Sequence, residues 1–330
     1  MPERKTRIAD VARRAGVSTA TVSRTLSDPA RVGAETRARV LIAVQDTGYR
    51  VNAAARDLRS ARARAVTVLV PNLSNTFFSR IVAAIQEVAG AAGLTVQVSD
   101  SLVEGDRLAT LGRDGRSDGV LLFDGGLDPA LVAGWGVPVV LVCERIERAP
   151  WPQLGIDNAV GIALAVDHLA GLGHRRLAYL GGPEGNVLSR DRAAGFERAC
   201  ARHGLRPRDE DRLPGDFTMG SGARAARCWA ETVERATAVV CASDESAIGF
   251  ISECDRMGLS VPRDISVTGF DDIEFSERFI PPLTTVRQPR AEIGRAAAET
   301  LVALLTDGPP PSVADLPLRL VVRGSTAPLR

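Results

Sequence analysis

Between residues 6 and 48 apolar positions return every three or four residues and Gly or Ser interrupts them, which predicts three short helices and no strand. Ile8, Val11, Ala12 and Ala15 form the first apolar stripe, closed by Gly16. Ser18 is placed to cap a second helix, Thr19 to Leu26, which Ser27-Asp28-Pro29 stops. A third runs from Glu35 to Asp46 and ends at Gly48. Two helices joined by the tight turn Ala15-Gly16-Val17-Ser18 and braced by a third have the pattern of a helix-turn-helix.

The next stretch, YRVNAAARDLRSARAR over 49–64, carries Ala54, Ala55 and Leu58 among basic and polar residues and lacks an apolar face wide enough for a stable free helix. It reads as a linker that orders conditionally. From Ala65 the pattern changes to apolar runs that predict strands at 65–71, 94–100, 119–125, 138–144, 176–182, 238–244, 265–272 and 283–289. Helical periodicity fills the intervals at 78–92, 159–172, 189–203, 245–257 and 290–306. Strands alternating with helices imply parallel sheets, and the spacing predicts two similar doubly wound α/β subdomains that meet near residue 155. The cleft between them is the expected ligand site. The expected domains are therefore a headpiece over 1–50, a linker or hinge over 51–64, and a two-lobed, interleaved α/β domain over 65–330.

Composition sharpens this division. The net charge of +1 hides fourteen Lys/Arg against six Asp/Glu in residues 1–65, a local charge of +8, while the remaining 265 residues carry −7. A basic headpiece on an acidic body points to a polyanionic partner for the headpiece. Lys5 is the one lysine, a bias that runs through the whole chain and says nothing about function. The five cysteines are widely spaced, mostly in apolar runs, and read as buried free thiols. With only His168, His174 and His203, no spacing suits a metal, and no cofactor is expected. The start MPERKTRIADV lacks the apolar core of a secretory signal, and no run approaches 18 apolar residues, so the cytosol is expected and a membrane partner is not.

In a helix-turn-helix the first turn of the second helix enters the major groove. Thr19, Ala20 and Arg24 would face base edges there, Arg24 as a bidentate partner for guanine, with Ala20 or the Thr19 methyl against thymine. Thr21, Ser23 and the helix N-terminus capped by Ser18 would hold phosphates. Enzymatic readings fail on composition. No GxxxxGK[ST], GxSxG or HExxH occurs, and GLGHRR at 171–176 precedes a strand instead of following one. A periplasmic solute-binding protein would share the two lobes, but it needs a secretory signal and no headpiece.

The stretch TRIADVARRAGVSTATVSRTLSDPARV, followed by TRARVLIAVQDTGYRVNAAARDLRS, resembles the headpiece and hinge of the lactose-repressor family of bacterial regulators. The resemblance continues through PNLSNTFF, SDGVLLF, HLAGLGHRRLAYLGGP, RAAGF, SDESAIG, VPRDISVTGFDD and PPLTTVRQP, and within the family VCERIERAPWPQLGIDN and GDFT are most similar to the cytidine-repressor branch. It implies a homodimer on palindromic double-stranded DNA, controlled by a nucleoside or sugar effector. It also implies a DNA contact at Arg7 and a hinge helix over 52–58, in which Asn52 and Ala55 lie in the minor groove and Leu58 wedges the central base step. Arg192 in RAAGF matches the arginine that grips ligand hydroxyls and Asp271 in GFDD its carboxylate partner. Phe77, Phe78 and Phe217 match positions that stack on an effector ring; core packing is the competing role for them. Glu144, Ser243, Asp244 and Gln288 follow strand ends where specificity residues are expected, whereas Asp157 in GIDN reads as structural. SLVEGDRLATLGRDGRS, over 101–117, is shorter than the family pattern, which leaves the position of that lobe's second helix open.

Overall fold

The computed structural model describes residues 6–49, 62–309 and 316–329, and the chain divides into two compact units, Met1–Arg62 and Ala63–Arg330. In the first unit, α1 (Ile8–Ala15), α2 (Thr19–Ser27) and α3 (Ala34–Thr47) form the three-helix headpiece. Val11, Ala12, Ala15, Val22, Val40 and Ala43 make its small core. The α1–α2 turn depends on Gly16, whose φ of 66° is left-handed and whose N–H closes α1 onto Arg13. A 3₁₀ turn, Pro29–Arg31, follows α2 where only a stop was expected.

The second unit contains β1 (Ala65–Val70), α4 (Phe78–Ala91), β2 (Thr95–Asp100), α5 (Ser101–Glu104), β3 (Gly119–Leu122), α6 (Pro129–Ala133), β4 (Val139–Val142) and β5 (Gln153–Leu154). After these come α7 (Asn158–Gly171), β6 (Leu177–Leu180), α8 (Val187–Arg202), β7 (Arg212–Leu213), α9 (Met219–Glu231), β8 (Ala238–Cys241) and α10 (Asp244–Arg256). The chain closes with β9 (Ser266–Asp271), α11 (Glu274–Arg278), β10 (Thr284–Arg287), α12 (Arg290–Leu305) and β11 (Arg319–Val321). The strands form two sheets, ordered β2-β1-β3-β4-β5 and β11-β10-β9-β8-β6-β7, parallel throughout except for the β10/β11 pair. Runs such as VVLV and AVVC are buried on both faces because helices cover both sides, which is why they show no polar alternation.

All eight expected strands and all five expected helices form, to within a few residues. The lobes are interleaved: α12 leaves the second sheet's β10 and packs with α4 against the first sheet, and β11 then returns to the second. The short crossover after β2 holds one turn of helix, α5, and a 3₁₀ segment, Gly105–Thr110, in place of a long helix. The seventeen residues carry the chain across to β3 without a full crossover helix, and Leu102 and Val103 stay 80% and 82% exposed.

Candidate functional site

On the headpiece, the Ser18 hydroxyl accepts from the Thr21 amide at 3.1 Å and lies 2.9 Å from the Thr21 hydroxyl. This cap fixes the start of α2. Val22 and Thr25 turn inward, which leaves Ser18, Thr19, Ala20 and Arg24 exposed along one side and Thr21 and Ser23 half-buried beside them. Arg7, just before α1, is exposed as well. A capped helix N-terminus with an exposed guanidinium one turn on is what groove reading requires. Asn52, Ala55 and Leu58 lie outside the described residues.

In the sensor unit the C-terminal ends of the two sheets face each other. From the second lobe, Arg192 on α8 is buried: its Nε donates to Asn158 Oδ1 at 2.8 Å and its Nη1 to the Ala242 carbonyl at 2.6 Å. Its guanidinium stacks 4.0 Å over the Phe270 ring and 5.5 Å from that of Phe217. Asp271, at the end of β9, lies 4.0 Å from Arg192 Nη1 and accepts from Gln288 Nε2 at 2.6 Å. Burial pushes the Asp271 carboxyl up to about 7, with Arg192 pulling it down and Asp244 adding to the rise. Asp271 sits at φ 122°, an unusual backbone state for a non-glycine residue and one that clusters at functional sites. Arg192, Asp271, Gln288 and Phe217 are thus brought together as one wall. Phe217 lies across Gly182, where any Cβ would collide with its ring.

The first lobe supplies Glu144, just past β4. Its Oε1 accepts from Asn186 Nδ2 of the second lobe at 2.7 Å, and its Oε2 is buried without a hydrogen-bond partner among the described residues. Burial raises the Glu144 pKa and nearby Asp124 adds to the rise, against the Asn186 amide and Arg192. Glu144 opens on a cavity of about 350 Å³ that also touches Asp124, Asn186 and Arg190. Such a group accepts from an amino donor when ionised and donates when protonated.

Three of the expected cleft residues are already engaged within the fold. Asp244 is fully buried and both its oxygens are already engaged: Oδ2 accepts from the Ile273 amide at 2.9 Å and the Ser276 hydroxyl at 2.6 Å, and Oδ1 from the Thr285 hydroxyl at 2.5 Å. These bonds make it a structural pin between α10, α11 and β10. Ser243 is the cap of α10, with its hydroxyl accepting from the Ser246 amide at 3.2 Å. Of the two adjacent phenylalanines, Phe77 packs into the core at 8% exposure and only Phe78 stays half-open, edge-on to Phe123. Asp157 caps α7, as expected of a structural residue.

Sequence reasoning missed Asn158 and Asn186, which orient Arg192 and Glu144; Asn158 is the last residue of GIDN and Asn186 lies three positions past LGGP. It also missed Glu245, whose Oε1 accepts from the Thr76 amide at 2.8 Å and hydroxyl at 2.9 Å, tying the lobes beside the phenylalanine pair.

A headpiece of this form on a two-lobed cleft defines a DNA-binding transcription regulator with a ligand-sensing domain. The sequence pattern of bacterial regulatory proteins of the lacI family matches residues 7–52, and that of the periplasmic binding protein-like domain matches residues 166–326. The chain is 35% identical over 97% of its length to the HTH-type transcriptional repressor CytR of Escherichia coli (strain K12), covering 96% of that protein. It is 33% identical to the catabolite control protein A of Priestia megaterium, over 97% of this chain and 98% of that one. The lac repressor dimer bound to operator and the anti-inducer ONPF superposes with a TM-score of 0.85 at 30% identity, over 98% of this chain and 100% of that one. The chain belongs to the lacI family of bacterial regulatory proteins.

Proposed function

We propose that the chain is a repressor that binds a near-palindromic operator as a homodimer in the cytoplasm, with α2 of each headpiece in the major groove and Asn52, Ala55 and Leu58 in the minor groove between them. One headpiece reads few base pairs, and two-fold symmetry doubles the contacts. The effector in this reading is a small hydroxylated metabolite, a ribonucleoside in preference to a simple sugar. The carrying observation is the buried wall of Arg192, Asp271 and Gln288: guanidinium donates and carboxylate accepts, so neighbouring hydroxyls are matched at once. Phe217 and Phe78 provide faces for a flat ring, and Glu144 Oε2 offers a partner for an amino group. The burial of Phe77 favours the sugar reading, since it removes one of three stacking faces.

Calorimetric titration with cytidine, adenosine, uridine, ribose and glucose separates the two. Nucleoside binding weakened by Glu144→Gln supports the first reading. Binding of a sugar with no detectable nucleoside binding overturns it and leaves the regulator standing.

A further inference from the structure

On the sensor unit, beside the cleft and sharing Gln288 with it, a groove of about 510 Å³ is lined by six arginines: Arg80, Arg287, Arg290, Arg295, Arg319 and Arg323. Four carboxylates share the lining, from Asp272, Glu274, Glu277 and Glu292, so the wall carries a formal charge of +2. The pairing inside it is uneven. Asp272 alone is shared by two guanidinium groups, Arg287 Nε at 2.5 Å and Arg323 Nη2 at 2.8 Å, which leaves one positive charge unbalanced. A third, Arg290, meets Asp272 through its main-chain carbonyl at 2.8 Å, which supplies no charge. Arg80 and Arg295 hold their acidic neighbours loosely, at 4.0 and 3.8 Å, and Arg319 makes no ion pair among the described residues. Arg290 is 6% exposed, and burial lowers its pKa against the pull of Asp271 and Asp244. A surface of solvated ion pairs would match its charges one to one; here the excess is concentrated around one carboxylate and one buried arginine. α12 also opens onto the groove, so its N-terminal dipole adds positive potential.

We propose that this groove binds a compact dianion, a phosphate monoester on a small polar body. Guanidinium forks suit phosphate oxygens, the charge to be balanced is two, and the volume admits a phosphorylated five- or six-carbon metabolite. The site is not isolated from the cleft. Arg290 Nη1 donates to the Phe77 carbonyl at 3.3 Å, next to Phe78, and Gln288, which lines the groove, bonds Asp271. An anion drawn to Arg290 therefore acts on both walls of the effector site. The proposal does not depend on what the effector is.

The test is calorimetric titration of the full-length protein at constant ionic strength with inorganic phosphate and with ribose 5-phosphate, using acetate as control. Saturable binding of ribose 5-phosphate is expected, weakened about tenfold or more in the Arg295→Ser/Arg319→Ser double variant. Those two side chains are partly exposed and outside the core, and the Arg295→Lys/Arg319→Lys variant controls for folding by keeping the charge. If inorganic phosphate binds as well as the ester, the free ion is the ligand and the dianion site stands. Equal heats for acetate, or undiminished binding in the serine variant, would overturn it. Effector titration of the serine variant without phosphate should match the parent, so failure here is distinguishable from failure of the nucleoside reading.

Discussion

In the headpiece, the side chains of Arg7, Thr19, Ala20 and Arg24 stand exposed on a scaffold held by six buried aliphatic residues, and none of the four side chains belongs to that core. In the cleft, Arg192, Asp271 and Gln288 are each at most 5% exposed and bonded to one another or to neighbours, so binding and stability fall on the same side chains. The first arrangement leaves recognition free to change without disturbing the fold. The second positions donors and acceptors before a ligand arrives and makes any change to them costly.

The largest test of that contrast is Arg192→Ala. It strands Asp271 in a low-dielectric site and unpairs Asn158, so a stability loss of about 3–5 kcal/mol is expected together with loss of the effector response. Denaturant melts and calorimetry read both; loss of binding with an unchanged melt would break the claim that the roles coincide.

Protonation of Asp271 sharpens the same point. Its folded-state value of about 7 lies above the ordinary aspartate value, so the folded chain keeps a proton that the unfolded chain gives up. Stability should therefore fall as pH rises from roughly 4 through 7, by about 4 kcal/mol at most from this group. Asp271→Asn should flatten that slope in melts taken across the window, and a variant with the parental slope would remove Asp271 as the source.

Asp244→Ala separates pin from ligand contact. Leaving Ile273, Ser276 and Thr285 without their acceptor should cost about 2–3 kcal/mol of stability. Effector affinity of the protein that remains folded should shift far less, and the reverse pattern would restore Asp244 to the binding set. Arg24→Ala should leave the melt untouched while costing about 1–3 kcal/mol of operator affinity and relaxing preference at one base pair per half-site. Binding-site selection checks it, and unchanged preference at every position would contradict the role.

Strands and helices with strong periodicity are legible in the sequence. The two-residue edges β5 and β7 were not, because a pair of residues carries no period. Helix α9 was missed because MGSGAR opens with two glycines and a serine, although Ala225, Ala226 and Trp229 bury one face. In the cleft, motif position picked out Arg192, Asp271 and Gln288, which the fold brings to one wall. It could not show the bonds of Asp244, since a carboxylate at a strand end looks the same in sequence whether its oxygens turn to a ligand or to Ser276 and Thr285. Asn158 escaped for the complementary reason: its role comes from a partner 34 positions away on another helix.

The return of α12 to the first lobe sets a timetable for synthesis. Strands β1 to β5 have all emerged by residue 154, yet the helix that covers Ile81 and Ile85 ends only at Leu305. At ordinary elongation rates that interval lasts roughly 10–30 s. Throughout it the first sheet waits with α4 in place but the neighbouring part of that face, over β3 and β4, uncovered while the second lobe's parallel strands are laid down, so a nascent chain of this architecture is exposed to aggregation and chaperone capture at its N-terminal lobe.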